Sequence, residues 1–147
     1  MDVLYSASGD EVTVAQLYPL LALRSAVFVI EQASLYQDLD GRDLLASTVH
    51  IWWQPADEPQ GYLRLLRDPD GTHRIGRVCT VKAARGTGLG ALLMKAAMER
   101  VGDEAAVLEA QTYAQKFYAR FGFEQAGTPY DEDGIEHITM RRPAHLP

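Results

Sequence analysis

Residues 85–91 read Arg-Gly-Thr-Gly-Leu-Gly-Ala, a run whose natural chemistry is the holding of an anion. Glycines at 86, 88 and 90 let the main chain take positive φ and approach a ligand closely. The stretch ahead of them, Arg77-Val78-Cys79-Thr80-Val81, is apolar and β-branched, while Leu89, Leu92, Leu93, Ala96 and Ala97 follow at helical spacing. Strand, turn and helix in that order aim the first N–H groups of the helix, which have no partner within it, at whatever lies in the turn. A phosphate or diphosphate suits such a socket, and Arg85 adds a forked charge. Two common phosphate loops are excluded. A P-loop needs Lys and then Ser or Thr after its last glycine, where this chain has Ala91-Leu92. A dinucleotide fingerprint needs its third glycine three residues beyond the second, and Ala91 stands there instead. What remains is Arg85-x-x-Gly88-x-Gly90.

With the strand ahead of it, that pattern resembles the acetyl-CoA pyrophosphate loop of the GNAT superfamily of N-acetyltransferases. A second stretch, residues 111–123, carries Ala114, Tyr118, Gly122 and Phe123 and resembles the second cofactor motif of the same superfamily. Leu23 to Gln32, Tyr36 to Asp43, and Asp133 to Met140 resemble its small ElaA-like branch. The resemblance implies direct acetyl transfer from the thioester to an amine in a ternary complex, with acetyl-CoA as co-substrate. It implies that Arg85 and the amides of Gly86, Thr87, Gly88, Leu89, Gly90 and Ala91 hold the cofactor phosphates. It also implies that Cys79, Thr80 and Val81 lie where the pantetheine arm would pair with a strand. Gln111 takes a place where many relatives have Asn, so a side-chain bond to the cofactor is expected there.

Acetyl transfer needs a neutral amine, a polarised carbonyl and a proton for the departing thiolate. Tyr118 matches the family position that supplies that proton; the other reading is that it only packs between helix and sheet. For the general base the candidates are Glu31, Glu109, His50 and His137, or a water relay. Tyr36, Asp38, Asp40 and His50 are candidates for the acceptor side. Asp38, Asp40 and Asp43 are either an anionic rim that attracts an amine or a capped, solvated turn. Cys79 inside an apolar strand reads as a small core residue rather than a nucleophile. A non-catalytic acyl-CoA sensor of the same fold, or a nucleotide-binding domain of another, is the competing function. Release of free thiol with an amine panel separates the sensor from the enzyme.

The elements that must position these groups can be read as follows. Thr13 and Gln16 have the form of a capping box, opening a helix through Leu17, Leu20, Leu21, Arg24 and Val27. Pro19 predicts either a kink or a regular helix that begins at Tyr18. Residues 34–43 read as a loop, and 49–53, 61–66 and 72–81 as strands on short turns, hence an antiparallel meander. Helices follow at 88–101 and 113–120, with strands at 106–110, 123–126 and 135–141. Trp52 and Trp53 point to opposite faces of their strand. The predicted class is α+β, a mixed and mostly antiparallel sheet flanked by helices. The family resemblance adds a splayed central strand pair.

With 147 residues and 47% hydrophobic composition, one domain over residues 1–147 is expected. A net charge of −6 argues against a nucleic-acid or anionic-membrane partner and suits a small-molecule or peptide amine. The single cysteine, Cys79, forms no internal disulfide, and no zinc spacing is present, so no metal is expected. Met1 to Ser6 lacks a secretory n-region, and Leu20 to Ile30 is interrupted and short for a membrane span. A cytoplasmic protein is the expectation, and a homodimer stays open.

Overall fold

The computed structural model describes residues 3–145. Eight strands form one sheet: β1 (Leu4–Ser8), β2 (Val49–Trp53), β3 (Gly61–Arg67), β4 (His73–Thr80), β5 (Ala106–Gln111), β6 (Glu124–Gln125), β7 (Tyr130–Glu132) and β8 (Ile135–Arg142). Their order is β1-β2-β3-β4-β5-β8-β6, with β7 paired to β8. All pairings are antiparallel except β4 with β5. The expected meander is thus β2-β3-β4. Two strands escape a sequence reading: β1 is short and half-exposed, and β7 is three polar residues long. Tyr5 of β1 stacks on Trp52 of β2 with ring centroids 5.6 Å apart.

Helices cover both faces. Helix α2 (Leu89–Val101) lays Leu89, Leu93, Met94, Ala97 and Val101 on Ile51, Leu63, Leu65, Ile75, Leu108 and Ile138. Burying that many large aliphatic side chains is the main source of stability, at about 1.5–3 kcal/mol for each one fully withdrawn from water. Gly61 lets the helix pack close, since a Cβ there would stand 2.8 Å from Leu89 Cδ2 and push that side chain aside. On the other face, α1 (Val14–Arg24) buries Leu20 and Leu23, and Val27 beyond it, against Trp52, Tyr62 and Cys79. Trp53 turns the opposite way, toward the α2 side.

The capping box is present: Gln16 N–H donates to Thr13 Oγ1 at 3.1 Å, and Thr13 N–H to Gln16 Oε1 at 2.9 Å. Pro19 does not delay the helix, which begins at Val14 and not at Tyr18. The carbonyl that loses its donor belongs to Ala15, which is exposed, so water replaces the bond. The irregularity comes later, as a π-helical stretch from Ser25 to Glu31 closed by Gln32 N–H to Val27 O at 3.0 Å. Val14–Glu31 together is 18 residues with mean hydropathy 1.4, long and apolar enough by composition to cross a membrane. Here it carries the fully buried Arg24 and lies on the sheet.

Arg24 organises the long segment before β2. It pairs with Asp38 at 3.0 Å and Asp43 at 2.6 Å. Arg64 joins Asp40 at 2.7 Å and Asp43 at 3.1 Å, and Arg77 joins Asp38 at 2.8 Å. The three aspartates are therefore neutralised by three guanidinium groups. His50 lies against the same network, fully buried: its Nε2–H donates to Asp43 O at 2.8 Å, and Nδ1 accepts from the Tyr62 hydroxyl at 2.6 Å.

This network predicts a pH dependence. Burial holds His50 below its ordinary 6.5, so the unfolded chain takes up that proton first and stability falls as pH drops below 6.5. Partial burial opposes ionisation of Asp43 and, less, of Asp40, yet Arg24 and Arg64 hold Asp43, and Arg64 holds Asp40, below 3.8. Their contribution, present above 3.8, is lost as pH falls further. Urea unfolding followed across pH should show a first decline below about pH 6.5 and a steeper one below about pH 4. A stability that rises on acidification would contradict the arrangement.

Candidate active site

Strands β4 and β5 pair only at His73↔Ala106, Arg74↔Val107 and Ile75↔Leu108, although β4 continues to Thr80 and β5 to Gln111. Beyond Ile75 they separate. The cause is local: the β3–β4 register shifts between Tyr62 and Arg64, and Arg77 sits in the left-handed region at φ 54°. A bulge of this kind bends its strand and strengthens the twist. The resulting cleft opens into a cavity of about 520 Å³. Its lining includes Phe28, Tyr36, Arg77, Gln111, Tyr118 and His137.

At one end of the cleft, the chain leaves β4, makes a 3₁₀ turn at Lys82–Ala84 and reaches α2 through Gly86 at φ 77° and Gly88 at φ 88°. Gly88 occupies the N-cap position with no side chain to satisfy the helix start. Leu92 N–H is the first to return to the chain, at 3.1 Å from Gly88 O. Among the described residues, none of the amides from Gly86 to Ala91 has an acceptor. Free amides at a helix start are the arrangement that suits an anion. Gly90 also lets Phe117 come close, with 3.4 Å between that ring and the position a Cβ would take.

Arg85 does not lean over this socket. Its guanidinium forms a two-pronged pair with Glu31, at 2.5 and 2.8 Å, and donates to Thr80 O at 3.0 Å. The Arg85 hydrogen bonds hold the Glu31 carboxyl below the usual range, which leaves it a poor proton acceptor. Thr80 O is occupied by Arg85, and Val81 N–H donates to Gln60 O at 2.9 Å. Of the three strand residues expected to pair with pantetheine, two have therefore already committed one main-chain group. Cys79 is buried between sheet and α1, and that burial pushes its thiol up to about 12, so it is a neutral core side chain.

Tyr118 lies on α3 (Gln115–Ala119), reached through a 3₁₀ turn at Thr112–Ala114. Its ring meets Phe117 edge-on at 5.1 Å between centroids. Burial pushes its phenol up to about 12, and the hydroxyl has no hydrogen-bond partner among the described residues. Tyr118 is among the residues that line the cavity. Gln111, at the end of β5, donates to Gln32 Oε1 at 3.2 Å, so it ties the sheet to the end of the π-helical stretch.

Glu109 is fully engaged. It accepts from Arg74 and from Tyr130, each at 2.9 Å, and from the Thr139 hydroxyl. Burial works against its ionisation, but the Thr139, Tyr130 and Arg74 bonds prevail and keep it below the usual carboxylate range. Through Tyr130 this carboxylate also steadies His137, since the two rings stack at 5.9 Å. His137 Nδ1–H donates to Ile135 O at 2.8 Å, which leaves Nε2 with its lone pair and, among the described residues, no hydrogen bond, with Glu132 at 4.0 Å. His50 needs correcting: both its ring nitrogens are satisfied in the core and it does not line the cavity, so it serves neither as base nor as acceptor contact. Asp38 and Asp40 also depart from the anionic rim, because Arg24, Arg64 and Arg77 cancel them. Tyr36 does line the cavity, beneath the Arg77 guanidinium at 5.1 Å.

Sequence reasoning missed Arg74, Arg77, Gln32 and Tyr130. Gly76, a glycine inside a strand, is the sequence signal for the bulge that brings Arg77 into the site.

Residues 8–143 match the family model described as Acetyltransferase (GNAT) domain. The chain is 47% identical over 131 residues to a UPF0039 protein of Mycobacterium tuberculosis, covering 86% of this chain and 84% of that one. It is 44% identical over 139 residues to protein ElaA of Escherichia coli, covering 90% and 91%. The ElaA crystal structure superposes with a TM-score of 0.89 over 95% of this chain and 97% of its own, at 41% identity. The structure of an acyl-CoA N-acyltransferase from Pseudomonas aeruginosa matches equally, with TM-score 0.89, 41% identity and the same 95% and 97% coverage.

Proposed function

The chain belongs to the GNAT acetyltransferase family, close to ElaA, and from that premise we propose how its residues divide the work of acetyl transfer. The protein is an acetyl-CoA-dependent N-acetyltransferase. Acetyl-CoA supplies a thioester whose carbonyl carbon accepts the lone pair of a neutral amine, so that a C–N bond forms and the C–S bond breaks. The protein must hold the co-substrate, take a proton from the amine and give one to the thiolate.

The unpartnered amides from Gly86 to Ala91, at the start of α2 and beside the cleft, carry this reading. They would hold the diphosphate, and Arg85 would exchange Glu31 for it. Tyr118 holds a proton at its phenol oxygen inside the cavity and delivers it to the departing sulfur. His137 takes the amine proton at Nε2, the lone pair left free by the Nδ1 bond to Ile135. Glu109 is unsuited to that task because Arg74, Tyr130 and Thr139 already hold it, and Glu31 does not line the cavity. Glu109 instead positions His137 through Tyr130.

His137→Ala should lower kcat by about 10²-fold or more, within the usual contribution of a positioned base. Added imidazole should restore part of that rate, and acetyl-CoA affinity should stay unchanged. Full activity in the variant would transfer the role to water.

A further inference from the structure

The charges around the cavity are unevenly matched. Arg64 and Arg77 face Asp40, and Arg74 faces Glu109. Three lining groups are left over. Arg42 has no carboxylate partner among the described residues; only its main-chain N–H meets Asp40, at 3.1 Å. Among the described residues Glu132 has no Lys or Arg partner and only His137 Nε2 near it, at 4.0 Å, and Asp133 has no ion pair. Arg64 in the same lining is 3% exposed, and its Nε–H is buried without an acceptor. A buried donor left in that state is costly, and an oxygen brought by a ligand relieves the cost.

A simple alkylamine would satisfy Glu132 and Asp133 but leave Arg42 and the Arg64 Nε–H unanswered. A diamine would add a like charge near Arg42. A carboxylate without an amine would meet Glu132 and Asp133 as a like charge. A molecule with both groups answers each wall.

We propose that the acceptor is an amino carboxylate, held by its acidic group at Arg42 and Arg64 and by its amine between Glu132 and His137. This deepens the acetyltransferase reading and rests on it. The Glu132 carboxylate attracts the ammonium form, and His137 Nε2 lies close enough to remove its proton before attack.

The test is calorimetry on protein saturated with coenzyme A. Glycine, β-alanine, γ-aminobutyrate and ε-aminocaproate are each compared with the n-alkylamine of the same chain length. At least one amino carboxylate should bind about tenfold more tightly than its alkylamine. Arg42→Ala, at an exposed side chain, should remove that advantage and leave the alkylamine unaffected. Equal affinities in every pair, no binding of any amino carboxylate, or an advantage that survives Arg42→Ala each overturn the proposal. The coenzyme titration in the same cell reads the underlying function separately. Absence of that heat removes both readings, whereas its presence without amino-carboxylate preference removes only this one.

Discussion

Tyr118→Phe should lower kcat by about 10²- to 10³-fold, the range of a well-placed general acid, while acetyl-CoA affinity changes little. Only the hydroxyl is removed, and it has no hydrogen-bond partner among the described residues, so the edge-on contact with Phe117 and the packing of α3 remain. The sign of the pH effect follows from burial, which pushes the phenol up to about 12. Tyr118 is therefore protonated throughout neutral and mildly alkaline assay conditions. The deficit of the Phe variant should be the same across that range. An unchanged kcat would mean that water or another group protonates the sulfur.

Arg85→Glu should weaken acetyl-CoA by about 10²-fold or more. A hydrogen bond to a charged group contributes about 1.5–3 kcal/mol, and the variant both loses it and sets a carboxylate beside the socket. The variant should stay folded, because the Arg85–Glu31 pair it breaks is exposed at 39% and 41%, where ion pairs add little. Glu31→Gln supplies the counterpart. It loosens the grip on Arg85, so acetyl-CoA should bind at least as tightly as before, and kcat should be retained because Glu31 is not the base. Calorimetry on both variants separates these outcomes. Weaker binding in Glu31→Gln would show that the carboxylate supports the socket instead of competing with it.

The parts of this site that were legible in advance are those encoded locally. The glycines at 86, 88 and 90 and the apolar stripe from Leu89 to Val101 lie within one strand-turn-helix unit, and short-range rules describe such units well. Tyr118 could be singled out because Ala114, Gly122 and Phe123 flank it at motif spacing. The charge network was not legible. Asp38, Asp40 and Asp43 look like a solvated turn, yet their partners Arg24, Arg64 and Arg77 come from a helix and two strands far away in sequence. His50 misled for the same reason. A lone histidine on a strand gives no sign that a tyrosine one strand over and a carbonyl in the preceding segment will use both its nitrogens. The role of Glu109 likewise depends on Tyr130 and Thr139, which arrive only when β8 pairs with β5 and β7 pairs with β8.

The most direct measurement is a crystal structure of the protein with coenzyme A. The account predicts diphosphate oxygens within hydrogen-bonding distance of the amides between Gly86 and Ala91, with Arg85 turned from Glu31 toward them. A diphosphate bound elsewhere, or those amides still without an acceptor at saturating coenzyme, would contradict it.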